Sequence, residues 1–327
     1  VRLFQGRYEE GLVLPEQAMT IADRAFGTRS PEFGTLLCNS AYLHYRNGSY
    51  DTMYEQAEAV RVMFESILDE DDLRLNCPYV TLSIYYQIIG EPRKALEIDE
   101  RVLKLKVSNY GEEDMRIANS LQNIGINYID LGDYETSIDY LERSDDIRDT
   151  STNGTDRQLP QNMYSLAHAL GKIGRFGEAH QMFLRLIEMQ HERTGKVHDT
   201  VAYWLNGHGD LLARLGATAE ADDALLRAMA IYAAIDKPAD HFDRSVTLVG
   251  LGKVARDRGD LATAERLMRD GLIIREKTIG EKNTFTQLAR VDLADVLRRQ
   301  GQMSDARSAF EPALEVMRST GDGGHPT

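Results

Sequence analysis

Apolar residues recur along the chain at positions i, i+3, i+4 and i+7, with polar residues between them. This spacing is the period of one face of an α-helix. The alternation of apolar and polar residues that is typical of strands is absent from the sequence. The clearest helical stretches are residues 35–47, 117–131, 162–173, 246–258 and 287–300. The pattern therefore predicts an all-α protein.

A glycine recurs between such stretches at a spacing of 42 residues, with a single step of 43. These turn glycines are Gly6, Gly48, Gly90, Gly132, Gly174, Gly216, Gly259 and Gly301. Each follows one amphipathic stretch and precedes another, where a residue in the left-handed conformation ends a helix and reverses the chain. Each repeat is therefore predicted to be a first helix, a turn and a second helix, and the whole a right-handed α-solenoid.

Seven residues before each turn glycine, from the second one on, the side chain is always small. The members of this column are Ala41, Ser83, Gly125, Ala167, Gly209, Gly252 and Ala294. The residue two positions after the turn glycine is mostly large and apolar, and the residue five positions after it is mostly small. Small side chains let two helix backbones approach closely, so the columns predict where the helices of each pair cross.

A second glycine follows 21 residues after several turn glycines, at Gly27, Gly111, Gly195 and Gly280, and is predicted to end the second helix. We assign residues 1–318 to a single array, and residues 319–327 to a tail or to the start of a further, truncated repeat. The array divides into a half repeat, 1–30, and full repeats at 31–72, 73–114, 115–156, 157–198, 199–241, 242–283 and 284–318. Because the chain opens in mid-repeat and without Met, we expect it to be a fragment of a larger protein.

The order of small, glycine, aromatic and alanine positions resembles the tetratricopeptide repeat. The clearest matches are Leu121-x2-Ile124-Gly125-x2-Tyr128 with Gly132-x-Tyr134 and Ser137, and Met163-x2-Leu166-Ala167 with Gly174-x-Phe176, Ala179 and Phe183. The usual period of this family is 34 residues. A period of 42 is similar to the longer variety found in kinesin light chains and in bacterial signalling proteins.

The resemblance implies that first helices line a concave groove that holds a peptide or protein segment. By position, the candidate binding residues are Asn39, Tyr42, Thr81, Gln122, Asn123, Ser165, His168, Asn206, Lys253, Arg256, Arg298 and Arg299. Equivalent positions also hold Tyr45, Ile84, Gln87, Tyr164, Lys172, Asp210, Arg214, Asp292 and Asp295. Asn39 and Asn123 stand where the family often uses asparagine on a ligand backbone, which fits an amide that both donates and accepts.

Charge narrows the choice of partner. The chain has 38 Lys and Arg against 52 Asp and Glu, a net charge of −14, which disfavours nucleic acid and anionic membranes. Residues 1–160 carry 16 basic and 29 acidic side chains, whereas 161–327 carry 22 and 23. The acidic half suggests either a basic ligand or a solvated surface. The basic residues near the C-terminus suggest either a carboxylate ligand or an ion-paired face.

Other signals suggest neither a cofactor nor a metal. The two cysteines, Cys38 and Cys77, lack metal-ligand spacing and are expected to be reduced thiols. With neither a signal sequence nor a spanning apolar run, the protein is expected in the cytoplasm. The run from Gly250 to Ala255 matches G-x-G-x-x-A, but Gly252 belongs to the small column, so we interpret it as helix packing and not as a nucleotide site.

The sequence therefore predicts a protein-interaction scaffold that binds a peptide or protein segment, with no catalytic site of its own. An alternative stays open: the array is the regulatory or sensor segment of a larger signalling protein, whose kinase or DNA-binding domain lies outside these residues.

Overall fold

The computed structural model describes residues 8–152, 156, 158–281 and 283–320. The chain forms two compact units, Val1–Ser165 and Leu166–Thr327. Every regular element among the described residues is a helix, so the predicted all-α class is confirmed.

The first unit holds a half repeat followed by helix pairs. Its helices are α1 (Tyr8–Phe26), α2 (Pro31–Arg46), α3 (Tyr50–Ile67), α4 (Asn76–Ile88), α5 (Pro92–Tyr110), α6 (Met115–Leu131) and α7 (Tyr134–Thr152), with a short 3₁₀ helix at Leu73–Leu75. Here α2, α4 and α6 are first helices, and each packs against the second helix that follows it. The next first helix, α8 (Leu159–Lys172), contains the boundary between the units.

The second unit continues with the same alternation. Its helices are α9 (Phe176–Thr194), α10 (Asp199–Arg214), α11 (Thr218–Ala234), α12 (Phe242–Asp257), α13 (Leu261–Ile279), α14 (Thr284–Arg299) and α15 (Met303–Thr320). The first helices α10, α12 and α14 pack on their own second helices, and α12 also contacts both α10 and α14. Each unit is therefore a stack of helix–turn–helix repeats.

The turn glycines have the conformation that the sequence predicts. Gly132 ends α6 with φ +80° and ψ 5°, in the left-handed region, and the N–H of Asp133 donates to the carbonyl of Tyr128 at 2.9 Å. The equivalent glycines from Gly48 to Gly301 also have positive φ, as do the four glycines that end second helices. The first of the series, Gly6, lies outside the described residues. A side chain is strained in this conformation, which accounts for the recurrence of glycine.

The small column marks the crossing of the two helices of a repeat, as predicted. A Cβ placed on Gly125 would lie 2.7 Å from Leu141 Cγ, and one on Gly252 would lie 2.7 Å from Met268 Cγ. Both distances are shorter than a carbon–carbon contact allows. Gly252 is therefore a packing residue within α12, in agreement with our interpretation of the G-x-G-x-x-A run.

The expectation of two reduced cysteines is wrong. Cys38 on α2 and Cys77 on α4 form a disulfide, with their Cα atoms 6.3 Å apart. Their separation of 39 residues is slightly less than one repeat, so the stacking of neighbouring first helices brings them side by side. Spacing rules for short cysteine motifs do not consider a pair brought together by a long repeat. The bridge lies in an apolar cluster with Phe64 and Tyr79.

Candidate functional site

The candidate residues lie on first helices, and in the first unit they differ sharply in exposure. Asn39 and Tyr42 are exposed on α2, and Asn123 is half-buried on α6. Thr81 and Ser165 are buried, and their hydroxyls donate to carbonyls one turn earlier in α4 and α8. Ligand contact at all five residues stays a prediction. The exposed pair and Asn123 are the ones within reach of a partner.

A chain of polar side chains connects the first-helix face to the interior between α4 and α6. Gln87 Nε2 donates to Asn127 Oδ1 at 2.9 Å, and Asn127 Nδ2 donates to Asp99 Oδ2 at 2.8 Å. The hydroxyl of Ser83 donates to the same Asp99 oxygen at 2.7 Å. We call these four residues the amide relay. Gln87 is its half-buried outer end, and Asp99, on the second helix α5, is its fully buried inner end.

The carboxylate of Asp99 is buried in an environment that disfavours its charged form. Burial raises the pKa of Asp99 to about 6, although the polar side chains of Ser83, Asn127 and Asn123 favour the charged form. Within the described residues, Asp99 Oδ1 has no hydrogen-bond partner. Lys106, a cation whose charge acts on Asp99, is half-buried, and its ammonium donates to Ser120 at 3.0 Å. The relay therefore contains a buried negative charge that no ion pair neutralises in the described structure.

Sequence reasoning missed Asp99 and Asn127, although the repeat contains a signal for both. Asp99 stands nine residues after a turn glycine, where the other repeats have Ala57, Leu141, Phe183, Leu225, Met268 and Phe310. Asn127 stands five residues before one, where the others have Leu43, Tyr85, Ala169, Leu211, Val254 and Val296. Each is the polar exception in its column. Two exceptions in neighbouring repeats could have predicted the hydrogen bond between them.

Gln122 is oriented by a buried cation, whereas the amide relay ends at a buried carboxylate. Arg148 on α7 is fully buried, and its Nη2 donates to Gln122 Oε1 at 3.0 Å and to Asn119 Oδ1 at 2.6 Å. The same guanidinium contacts Asp156 and Ser144. Because the carbonyl oxygen of Gln122 points at Arg148, its amide NH2 group is the part left for other contacts.

The first-helix face of the second unit is cationic along α8, α10 and α12. Arg214 on α10 extends over α8, where its Nη1 lies 3.9 Å from the position that a Cβ on Gly171 would occupy. Desolvation and the charges of Arg214 and Lys253 lower the pKa of Lys172, against the opposing effect of the Asp210 carboxylate. Burial and the charge of Lys172 lower the pKa of His168 to about 4, so this imidazole is neutral near pH 7.

Farther along, the same face is ion-paired. Lys253 on α12 lies 3.2 Å from the Asp292 carboxylate on α14. Arg256 on α12 contacts Asp257 at 2.8 Å, and its Nη1 lies 3.8 Å from Asp295 on α14. Arg298 and Arg299 contact Asp295 at 2.7 and 2.9 Å. The structure thus brings the four predicted basic residues together, with Asp292 and Asp295 between them.

Asn206, the remaining candidate, is committed to an internal network. It is buried on α10, where its Nδ2 donates to the Tyr232 hydroxyl at 3.2 Å and its Oδ1 accepts from the Thr247 hydroxyl at 2.8 Å. Burial raises the pKa of Tyr232 above its ordinary value, so this phenol stays protonated. These bonds join α10, α11 and α12 behind the cationic surface.

No helix in the described residues is long and apolar enough to cross a membrane. The described ranges also contain no group of three His, Cys, Asp or Glu residues arranged to hold a metal ion.

The chain is similar to curated relatives over part of its length. The clustered mitochondria protein homolog of Aspergillus niger is 20% identical over 191 residues. That alignment covers 56% of this chain and 15% of the relative, so the matched part is a small fraction of a much longer protein.

Solved structures show the same fold at low identity. The apo form of RapI has a TM-score of 0.68 at 13% identity, over 89% of this chain and 99% of that one. A Rap protein complexed with competence and sporulation factor has a TM-score of 0.59 at 14% identity, over 95% and 98%. At such identities the likeness establishes the fold alone.

The sequence model of the tetratricopeptide repeat matches residues 74–150, 114–192 and 243–319, which together make up more than half of the chain. The matched ranges contain Gly125, Gly132 and Gly252, whose geometry is described above. Repeats of this kind form scaffolds for protein interaction. The chain belongs to the tetratricopeptide repeat family.

Proposed function

We propose that this protein is an interaction scaffold that binds an anionic segment of another protein on the first-helix face of its second unit. The observation that supports this most directly is the cationic surface formed by Lys172 and Arg214 on the successive first helices α8 and α10. The groove predicted from the sequence runs over the same residues. The Rap protein complexed with competence and sporulation factor gives a precedent for a ligand on this fold.

The charge balance of this surface favours an anion. Asp292 and Asp295 offset the charges of Lys253, Arg256, Arg298 and Arg299 through the contacts already described. In the described part of the chain, by contrast, no carboxylate forms an ion pair with Lys172 or Arg214, although the charge of Asp210 acts on Lys172. A ligand carboxylate at this place would add to the effect of Asp210, which favours the charged form of Lys172, and a guanidinium can bind it through two N–H groups.

The two cations stand on closely packed helices. Gly171 on α8 is buried, and a Cβ placed on it would lie 3.0 Å from Leu211 Cδ1 and 3.9 Å from Arg214 Nη1, so its missing side chain lets α10 pack closely on α8. Lys172 and Arg214 are exposed beside this contact, where the acidic side chains of a ligand can reach them. Because the helices are already packed, the scaffold loses little conformational freedom on binding.

A peptide titration tests the proposal. The probes are two blocked, fluorescently labelled peptides, one alternating Glu with Gly and the other alternating Lys with Gly. We expect the Glu peptide to bind the wild-type protein more tightly. The double substitution Lys172→Ala and Arg214→Ala should weaken its binding about tenfold, since two charge-assisted contacts are removed.

Arg185→Ala is the matched control, since Arg185 is exposed on the second helix α9. The control should leave the affinity for the Glu peptide unchanged. Equal effects of the double substitution and the control would refute the proposed location.

A second candidate is that the array serves as the regulatory segment of a larger signalling protein. The observation in its favour is that the A. niger relative matches over 15% of its own length. Sequencing of the complete reading frame is the direct test.

A further inference from the structure

The amide relay of the first unit is directional, and its direction follows from Asp99. An ionised carboxylate only accepts hydrogen bonds, so the group of Asn127 that faces Asp99 must be the NH2 group. The carbonyl oxygen of Asn127 is then left to accept from Gln87 Nε2. Each amide in the relay has one donating and one accepting side, so the carbonyl oxygen of Gln87 becomes the outward group.

The opposite arrangement occurs one repeat later, at Gln122. It shows that the sign of the buried charge decides which group of the glutamine amide faces outward. Arg148 only donates, and it holds the carbonyl oxygen of Gln122 inward. Gln122 therefore turns its NH2 group away from the core, whereas Gln87 turns its oxygen away. The two glutamines lie on α4 and α6, neighbouring first helices of the same unit.

The charges around the relay reinforce the accepting character of Gln87. Asp99 is fully buried, and its Oδ1 has no hydrogen-bond partner among the described residues, so its charge is incompletely screened. Asp130 is exposed on α6, three residues after Asn127 and therefore about one turn along the same helix. Lys106, whose charge acts on Asp99, donates its ammonium hydrogen bond to Ser120.

The net charge of the first unit also favours a cationic ligand. Residues 1–160 carry 29 acidic and 16 basic side chains, a net charge of −13, and no further charged residue occurs before the unit ends at Ser165. Tyr42, which is 45% exposed on α2, offers an aromatic face of the kind that attracts cations. A cationic ligand is therefore drawn to this unit at long range and meets an acceptor at the surface of α4.

We propose that the first-helix face of α4 and α6 binds a basic peptide segment, with an arginine or lysine side chain donating to Gln87 Oε1, and that Asp99 sets this preference by directing the relay. Asp99 is a positioning residue here, because it acts through Asn127. The inference rests on the proposed function in one respect, that first-helix faces bind protein segments. It concerns a different unit and a ligand of opposite charge.

The test uses a blocked, fluorescently labelled peptide that alternates Arg with Gly. Gln87→Met removes the acceptor at similar volume and should weaken binding about tenfold, the usual scale for a hydrogen bond to a charged donor. Gln17→Met is the matched control, since Gln17 is exposed on the second helix α1, and it should leave the affinity unchanged.

Asp99→Asn tests the direction of the relay, because asparagine can donate as well as accept. We expect it to weaken binding of the Arg peptide and to shift the side-chain amide signals of Gln87 and Asn127 in a ¹H–¹⁵N spectrum. A purely structural role for Asp99 would lower the melting temperature without changing the affinity of the folded protein. If Asp99→Asn does not fold, Gln87→Met alone decides.

The inference fails if the wild-type protein does not bind the Arg peptide, or if Gln87→Met and a folded Asp99→Asn bind it within twofold of the wild type. The Glu peptide is titrated against the same variants. Its binding in the second unit should persist in every one of them, so a failure confined to the Arg peptide leaves the proposed function intact. Loss of Glu-peptide binding in the wild type refutes the proposed function independently.

Discussion

Asn127 donates to Asp99 across 2.8 Å, and both residues occupy columns of the repeat that hold apolar side chains elsewhere. A buried carboxylate without an ion pair is costly for the folded state. Its presence between α4 and α6 is explained if it directs the amides that reach the surface. The same pair therefore links the stability of the first unit to its binding preference.

The first prediction concerns the pH dependence of stability. The folded-state pKa of Asp99 is raised from 3.8 to about 6, so folding favours the protonated acid. This contribution is fully present below about pH 4 and is lost as the pH rises through about 6. Between pH 4.5 and pH 7 the free energy of unfolding of the wild type, relative to that of Asp99→Asn, should fall by about 2 kcal/mol. Urea unfolding at both pH values measures the difference, and a pH-independent difference would contradict the assigned burial.

The second prediction concerns the crossing of α6 and α7. Gly125→Ala places a Cβ 2.7 Å from Leu141 Cγ and 3.3 Å from the carbonyl oxygen of Ser137. It should lower the free energy of unfolding by about 1–3 kcal/mol, because a tight contact must open. Gly177→Ala on α9 meets no atom within 4 Å and is the control. The control should raise stability by about 0.5 kcal/mol, and equal effects of the two substitutions would contradict the close crossing.

The third prediction concerns the disulfide between α2 and α4. It closes a loop of 39 residues, for which chain entropy gives a stabilisation of about 4 kcal/mol. Dithiothreitol should therefore lower the melting temperature of the wild-type protein. The double substitution Cys38→Ala and Cys77→Ala should start at the lower value and not respond to the reagent. A thiol assay of the unfolded protein gives an independent reading, and two free thiols before reduction would show that the bridge is not formed.

The helices and turns were predictable because they depend on local patterns repeated many times. Gly132 and Gly125 illustrate this: one needs a positive φ and the other a missing side chain, and both needs recur in each repeat. The period of the glycines therefore predicts the order of the helices and turns, and the period of the apolar residues predicts which face of each helix is buried.

Contacts between residues of neighbouring repeats were harder to predict from the sequence. Cys38 with Cys77, and Gln87 with Asn127, are 39 and 40 residues apart, so each pair meets only because neighbouring first helices stack. Burial was also hard to infer from family position, since Asn206 is buried and internally bonded, whereas Arg298 is exposed. The register of one first helix against the next decides which side chains are buried and which residues meet. The composition of a single helix does not determine that register.

The most direct test of the account is a reversal of charge on the first-helix face of the second unit. The double substitution Lys172→Glu and Arg214→Glu replaces the two cations that have no carboxylate partner in the described residues. We measure the dissociation constants of the Glu and Lys peptides by fluorescence anisotropy, with circular dichroism to verify the fold. The account predicts that the wild type prefers the Glu peptide and that the variant prefers the Lys peptide. An unchanged order of affinities in a folded variant would contradict it.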